Sequence, residues 1–308
     1  MNLVVLDASP AFDGLDLAPL RKHGELTVFE KTSPAQVAER ISGATVVLTN
    51  KVKLGAAELA AAPNLKLVSV LATGYDVVDV SAAKAHGVTV CNVRGYSTAS
   101  TAQHAVALLL ELTNRVGAHS TDVARGGWIE RNIWSYNLAP LTELDGKTLL
   151  VVGMGAIGSR VARIAEALGM TVLSGSARRP EELFALLPQA DAVSLHCPLT
   201  PETRGLINAE FLAALKPGAL LVNAARGPVI DDHAVAAALK SGTLAGYAAD
   251  VTTTEPPLPE NPLLTAPSCL LTPHNAWATD ASRQRLLAET VENVDKFLAG
   301  TPRNVVGG

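Results

Sequence analysis

Gly153-Met154-Gly155-Ala156-Ile157-Gly158 places three glycines at G-x-G-x-x-G spacing, right after the apolar run Leu149-Leu150-Val151-Val152. An Ala-rich helical stretch, Val161–Leu168, follows. This spacing suits the cradling of a pyrophosphate. The first glycine permits the tight turn, the second lets the backbone approach the phosphates, and the third lets helix and strand pack closely. Unpaired N–H groups at the helix N-terminus would hold the anion. A second strand-like run at Thr171–Ser174 completes the context expected of a dinucleotide site. Without a ligand, the same residues make only a tight strand–helix turn.

Three further residues lie at predicted strand ends or in loops. Arg226 follows the run Leu220-Leu221-Val222-Asn223, Glu255 precedes Pro256-Pro257, and His274 stands in Thr272-Pro273-His274-Asn275. Ligands of open α/β sheets bind outside the carboxyl ends of the strands, where an Arg, a Glu and a His from separate loops can converge. Taken singly, Arg226 reads equally as a surface cation, Glu255 as a solvated acid and His274 as a turn residue.

The elements that must position these groups alternate. Strands are predicted at Leu3–Leu6, Thr27–Phe29, Thr45–Leu48, Lys66–Val70 and Val88–Cys91, with helices at Pro34–Ile41, Ala56–Ala62 and Val80–Ala85. Such alternation builds a parallel sheet covered on both faces. Ser97–Arg115 reads as one long helix with a broad apolar face, and Gly126–Leu141, which holds Trp128 and Trp134, reads as a long connecting loop. A second series has strands near Leu149–Val152, Thr171–Ser174, Ala192–His196, Ala219–Asn223, Leu244–Asp250 and Leu270–Leu271, then a helix Ala281–Leu298 stopping at Gly300. The dinucleotide series therefore reads as an insertion within the first domain.

Composition narrows the function. The 308 residues have room for two cores. Net charge is −4 with no basic cluster, which argues against nucleic acid as the main partner. Mean hydropathy is +0.24, yet no apolar run approaches the ~18 residues of a membrane span. The N-terminus reads as a strand rather than a secretory leader, so a cytoplasmic protein is expected. Cys91, Cys197 and Cys269 are isolated, without metal-type spacing.

Together these segments resemble the D-isomer-specific 2-hydroxyacid dehydrogenase family over nearly the whole chain. The resemblance is carried by Ala72-Thr73-Gly74-Tyr75-Asp76, Tyr96-Ser97-Thr98-Ala99-Ser100, Gly153–Gly158, Leu195-His196-Cys197-Pro198-Leu199-Thr200, Asn223–Gly227, Glu255-Pro256 and Pro273-His274. The Thr-Gly-Tyr loop and His274-Asn275-Ala276-Trp277-Ala278-Thr279 are most similar to the glycerate dehydrogenase and hydroxypyruvate or glyoxylate reductase branch. The family implies an α/β fold of two doubly wound parallel-sheet domains. A Rossmann dinucleotide domain (99–281) would be inserted into a flavodoxin-like substrate domain (1–98 and 282–308).

The resemblance also implies roles. His274 would donate a proton to the keto oxygen of a small 2-keto acid, Glu255 would pair with it and favour the imidazolium, and Arg226 would anchor the carboxylate and keto oxygen. Thr73, Gly74 and Tyr75 would hold the carboxylate from the other domain, completing the site on closure. Cofactor contacts would come from Thr101, Gly153, Gly155, Ala156, Ile157, Gly158, His196, Cys197, Pro198, Thr203, Ala224, Ala225, Arg226, Asp250, His274 and Ala276, with Asp250 accepting from the nicotinamide amide. Thr101 and Gln103 depart from the residues usual in the family. A homodimer formed through the Trp128–Trp134 region is expected.

NADPH is expected in preference to NADH, with NADH possible. An NAD site places an acid about 20 residues past the fingerprint, where this chain has Ser176 in Ser174-Gly175-Ser176-Ala177-Arg178-Arg179. Ser176 can donate to a 2′-phosphate, and Arg178 or Arg179 can neutralise it. Rival readings are a dinucleotide-sensing protein akin to the corepressors of this fold, or a dehydrogenase of another 2-hydroxy acid.

Overall fold

A computed structural model describes residues 1–307. The chain divides into two units, Met1–Ser97 with Trp277–Gly308 and Thr98–Ala276. The second junction falls earlier than the expected 281/282. Trp277 packs in the first unit's core, its ring 6.4 Å from that of Tyr96 in an edge-on contact.

The first unit runs β1 (Asn2–Val5), α1 (Ala18–Arg21), β2 (Glu25–Val28), α2 (Val37–Ile41), β3 (Val46–Thr49), α3 (Ala56–Ala60), β4 (Leu67–Val70), α4 (Val80–Ala85) and β5 (Thr89–Cys91). Its strands pair in parallel in the order β2-β1-β3-β4-β5, the flavodoxin-like arrangement. β3 and β4 are buried at every position, which is why they read as mostly apolar runs, with Thr49 ending β3 and Ser69 within β4.

The second unit contains α5 (Thr98–Asn114), α6 (Val116–Ala124), α7 (Gly127–Arg131), β6 (Thr148–Val152), α8 (Ala156–Ala167), β7 (Thr171–Gly175), α9 (Pro180–Leu186), β8 (Ala192–Leu195), α10 (Ala209–Ala213), β9 (Ala219–Asn223), α11 (Asp232–Ser241), β10 (Leu244–Ala249) and β11 (Cys269–Leu271). The chain then returns to the first unit through α12 (Asp280–Leu298). The 6-stranded parallel sheet has the order β11-β10-β9-β8-β6-β7. Its direction of travel reverses beside β6, the topological switch point at which such sheets bind ligands.

The segment 126–141 expected to be a loop holds one short helix, α7, and α6 lies directly before it. α5 ends where Arg115 turns left-handed at φ 50°, and Gly126 at φ 90° separates α6 from α7. Asp122 staples the pair: its Oδ2 accepts from Arg131 Nη1 at 2.8 Å and from Tyr136 Oη at 2.7 Å. These helices escape a periodicity reading because their apolar side chains, Val116, Val123, Trp128 and Ile129, remain exposed.

Register aligns the carboxyl ends of the second sheet. Val152 is the partner of both Gly175 and Leu195, Asn223 of both Leu195 and Ala249, and Ala249 of Leu271. The next residue along each strand is therefore drawn to one edge: Gly153, Ser176, His196, Ala224, Asp250 and Thr272.

Candidate active site

The fingerprint glycines are required by close approach. A Cβ on Gly153, at φ 101°, would meet Cys197 N and His196 C at 2.8 Å, and one on Gly158 would meet Gly153 O at 2.2 Å. A Cβ on Gly155 would meet nothing within 4 Å, and no side chain caps α8. The first amides of α8, from Ala156, Ile157 and Gly158, thus head an uncapped helix beside open space. That geometry fits a pyrophosphate.

Beside this cradle lies a cavity of about 180 Å³ lined by Gly153, Ser176, Arg178, Cys197, Pro198, Glu202 and Thr203, among others. Ser176 Oγ accepts from Arg178 N at 3.3 Å. Arg179 is not among the lining residues, and its guanidinium pairs with Glu182 Oε2 at 2.8 Å. Thr203 is buried and spends its hydroxyl on Pro198 O at 2.7 Å, holding the turn after β8. A hydrogen bond from the Thr200 side chain, aided by the charge of Arg178, holds the Glu202 carboxyl below the usual range.

His196 bonds Ser194 Oγ through Nε2 at 2.8 Å, and burial pushes its imidazole down to about 4, so it is neutral at neutral pH. Burial likewise pushes the Cys197 thiol up, which makes it a filler rather than a nucleophile. Thr101 and Ala225 are buried. Asn223 Oδ1 accepts from Ala225 N at 3.0 Å, and its amide donates to Arg226 O at 3.1 Å, so this buried Asn shapes the turn from Ala224 to Arg226.

A second cavity, of about 380 Å³, is lined by Asp250, Glu255, Leu271, Thr272 and His274, among others. His274 Nδ1 lies 2.7 Å from Glu255 Oε2, and Glu255 Oε1 accepts from Thr252 N at 3.3 Å. The carboxylate accepts, so Nδ1 carries a proton and Nε2 is the nitrogen left to act elsewhere. Arg226 donates through Nη1 to Ala225 O at 2.7 Å. A Cβ on Gly227 would meet the Thr252 carbonyl at 2.0 Å, so only glycine lets the Arg226 loop lie against the loop leading to Glu255. In the first unit, Thr73 donates to Val93 O at 2.9 Å while Asn92 Nδ2 donates to Thr73 O at 2.7 Å, fixing the turn before Gly74 and exposed Tyr75.

Residues 106–276 match the family model described as the D-isomer-specific 2-hydroxyacid dehydrogenase NAD-binding domain. The chain is 43% identical to a hydroxypyruvate reductase of Blautia hydrogenotrophica, with 99% of each chain covered. It is 41% identical to a glycerate dehydrogenase of Methylorubrum extorquens, with 92% of each covered. Among solved structures, an NADPH-dependent glyoxylate/hydroxypyruvate reductase from Sinorhizobium meliloti, in complex with NADP and malonate, superposes with a TM-score of 0.86. It is 28% identical, with 99% of this chain and 96% of that one covered. The chain belongs to the D-isomer-specific 2-hydroxyacid dehydrogenases.

As a dehydrogenase of this family it takes a nicotinamide dinucleotide, and the uncapped start of α8 fits that group. Asp250 is more heavily used than the sequence suggests. Its buried carboxylate accepts from Thr272 Oγ1 at 2.6 Å, Asn275 N at 2.9 Å and Ala276 N at 2.8 Å. His104, Thr272 and Glu202 were not foreseen. The position of Glu202 could be traced to the loop after β8, but nothing in the spacing of His104 on its helix points to Asp250. Among the described residues no cluster of His, Cys, Asp and Glu could hold a metal ion, and no helix is long and apolar enough to cross a membrane.

Proposed function

We propose that this dehydrogenase reduces hydroxypyruvate and glyoxylate, taking NADPH in preference to NADH, and that it acts as a cytoplasmic homodimer. The observation that carries the reading is the His274–Glu255 pair at the carboxyl edge of the sheet that also bears the α8 cradle. The names of the two relatives support the substrate. Ser176, standing where an NAD site places its acid, supports the cofactor.

When bound, the reduced nicotinamide supplies a hydride to the keto carbon. His274 delivers a proton from Nε2 to the keto oxygen, while Glu255 accepts from Nδ1 and holds the ring's orientation and tautomer. Arg226 presents a planar fork to the carboxylate and keto oxygen. The turn Thr73-Gly74-Tyr75 offers backbone N–H donors of the kind that suit a carboxylate. The exposed Ile129, Ile133 and Trp134 support the dimer, and the free state of Cys91, Cys197 and Cys269 supports a reducing compartment.

The test is turnover of a panel of 2-keto acids with each cofactor, with chiral analysis of the product. D-glycerate from hydroxypyruvate, and a much lower kcat/KM for phenylpyruvate, are expected. L-glycerate, or a preference for phenylpyruvate, would overturn the reading. Light scattering checks the dimer.

A further inference from the structure

We infer that His104 is a positioning residue for His274, acting through Thr272 and Asp250. The inference rests on the reading of His274 as the proton donor.

His274 has φ 51°, a left-handed conformation that side chains other than glycine rarely adopt. Something must hold it there, because such backbones persist only where their surroundings over-determine them. The amides that follow it are clamped: Asn275 N donates to Asp250 Oδ1 at 2.9 Å and Ala276 N to Asp250 Oδ2 at 2.8 Å. On the other side, His274 N donates to Thr272 O at 3.0 Å. The orientation of one buried carboxylate therefore governs the backbone that carries the catalytic imidazole.

That orientation depends on α5. Thr272 Oγ1 lies 2.6 Å from Asp250 Oδ1, 2.9 Å from His104 Nε2 and 3.4 Å from Ala249 O. A hydroxyl has one proton. The shortest of these contacts, to a carboxylate that can only accept, takes it. Thr272 must then accept from His104, so His104 Nε2 carries a hydrogen. The same nitrogen lies 3.5 Å from Asp250 Oδ1. If His104 instead accepted at Nε2, Thr272 would have to turn its proton away from Asp250, and the clamp would lose a donor. The side chain at 104 thus decides whether the Asp250 carboxylate keeps the donors that fix its plane.

The experiment uses His104→Leu, His104→Gln and Thr272→Val in the full-length protein. His104→Gln keeps an N–H donor at the ε position, and Thr272→Val removes the relay while leaving α5 intact. Hydrogen exchange of the cofactor-free protein is read on peptides spanning 272–276, with controls from α5 and β10. Steady-state kinetics are measured alongside. We expect His104→Leu and Thr272→Val to speed exchange across 272–276 with the controls unchanged. Both should lower kcat roughly tenfold, as small misplacements of catalytic groups do, while the KM for NADPH stays within about twofold. His104→Gln should restore both readouts. Wild-type exchange at 272–276 in His104→Leu, or equal loss of protection in α5 and β10, would overturn the inference. So would failure of His104→Gln to rescue. His274→Ala is run in parallel. If it retains kcat, the proton-donor reading fails, and the exchange arm alone decides whether His104 holds the loop.

Discussion

The imidazole of His274 and the carboxylate of Glu255 meet at 2.7 Å through Nδ1 and Oε2. The two residues leave different strands, β11 and β10, and the contact joins their loops at the carboxyl edge of the sheet. It fixes the ring's tautomer, because only a protonated Nδ1 can bond a carboxylate. His274→Ala is expected to lower kcat by roughly 10²–10⁴, the usual worth of general acid catalysis. Glu255→Gln keeps an acceptor for Nδ1 but removes the charge, so its kcat should fall between those of wild type and His274→Ala. Steady-state kinetics check both, and a near-normal kcat for His274→Ala would sink the assignment.

Arg226 is held by its own turn, with Nη1 on Ala225 O at 2.7 Å, and keeps further guanidinium hydrogens for a substrate. Because it would polarise the keto oxygen as well as bind the carboxylate, Arg226→Ala should raise KM and lower kcat together. Arg226→Lys restores the charge but not the fork, and should recover KM more than kcat. A variant affected in KM alone would reduce Arg226 to an anchor.

The legible parts of this fold are those that burial writes into the sequence. β3, β4 and β9 are buried at every position, and each appears as a largely apolar run of strand length. Gly153 and Gly158 were legible because the strand–helix turn admits no other residue there. The helices between 116 and 131 were not, since their apolar faces point to solvent and their stapling acid, Asp122, makes no periodic pattern. A boundary at 281/282 puts Trp277 in the second unit, but its edge-on packing with Tyr96, a long-range contact that no local pattern reports, places it in the first. In the candidate site, Arg226, Glu255 and His274 are singled out by family motif; residue type alone leaves each ambiguous. His104 meets Thr272 from far along the chain, and Glu202 shares a cavity with Arg178; no local pattern reports such contacts.

Buried His196 makes the protein acid-sensitive. Its folded imidazole is held down to about 4 by burial, against an ordinary value of 6.5. Between these values the unfolded chain binds a proton that the folded chain refuses, so stability is full above pH 6.5 and falls as pH drops toward 4. The gap between those two values is worth about 3 kcal/mol at most. Urea unfolding of wild type and His196→Asn at pH 7.5 and 4.5 should show a smaller acid loss in the variant. Equal losses would mean that His196 titrates as freely folded as unfolded.

The choice between cofactors turns on three residues around one small cavity. Ser176 stands where an acid would bind a ribose 2′-hydroxyl, and Arg178 lines the same space, an arrangement suited to a 2′-phosphate. Glu202 enters that cavity from the loop after β8, its carboxyl held in the ionised form by Thr200 and Arg178. It opposes a phosphate, while Arg178 attracts one. Arg179 is engaged with Glu182, though both are exposed and such a pair is weak enough to exchange partners. Arg178→Ala should therefore raise the KM for NADPH roughly tenfold, as loss of a charge-assisted bond would, and leave that for NADH nearly unchanged. Glu202→Gln should lower the KM for NADPH by roughly two- to fivefold, the worth of an exposed charge pair. Ser176→Asp should turn the preference toward NADH. The measurement is kcat/KM with both cofactors for each protein. A wild-type enzyme that favours NADH would refute the NADPH assignment. An Arg178→Ala enzyme with unchanged discrimination would instead move the 2′-phosphate away from this cavity.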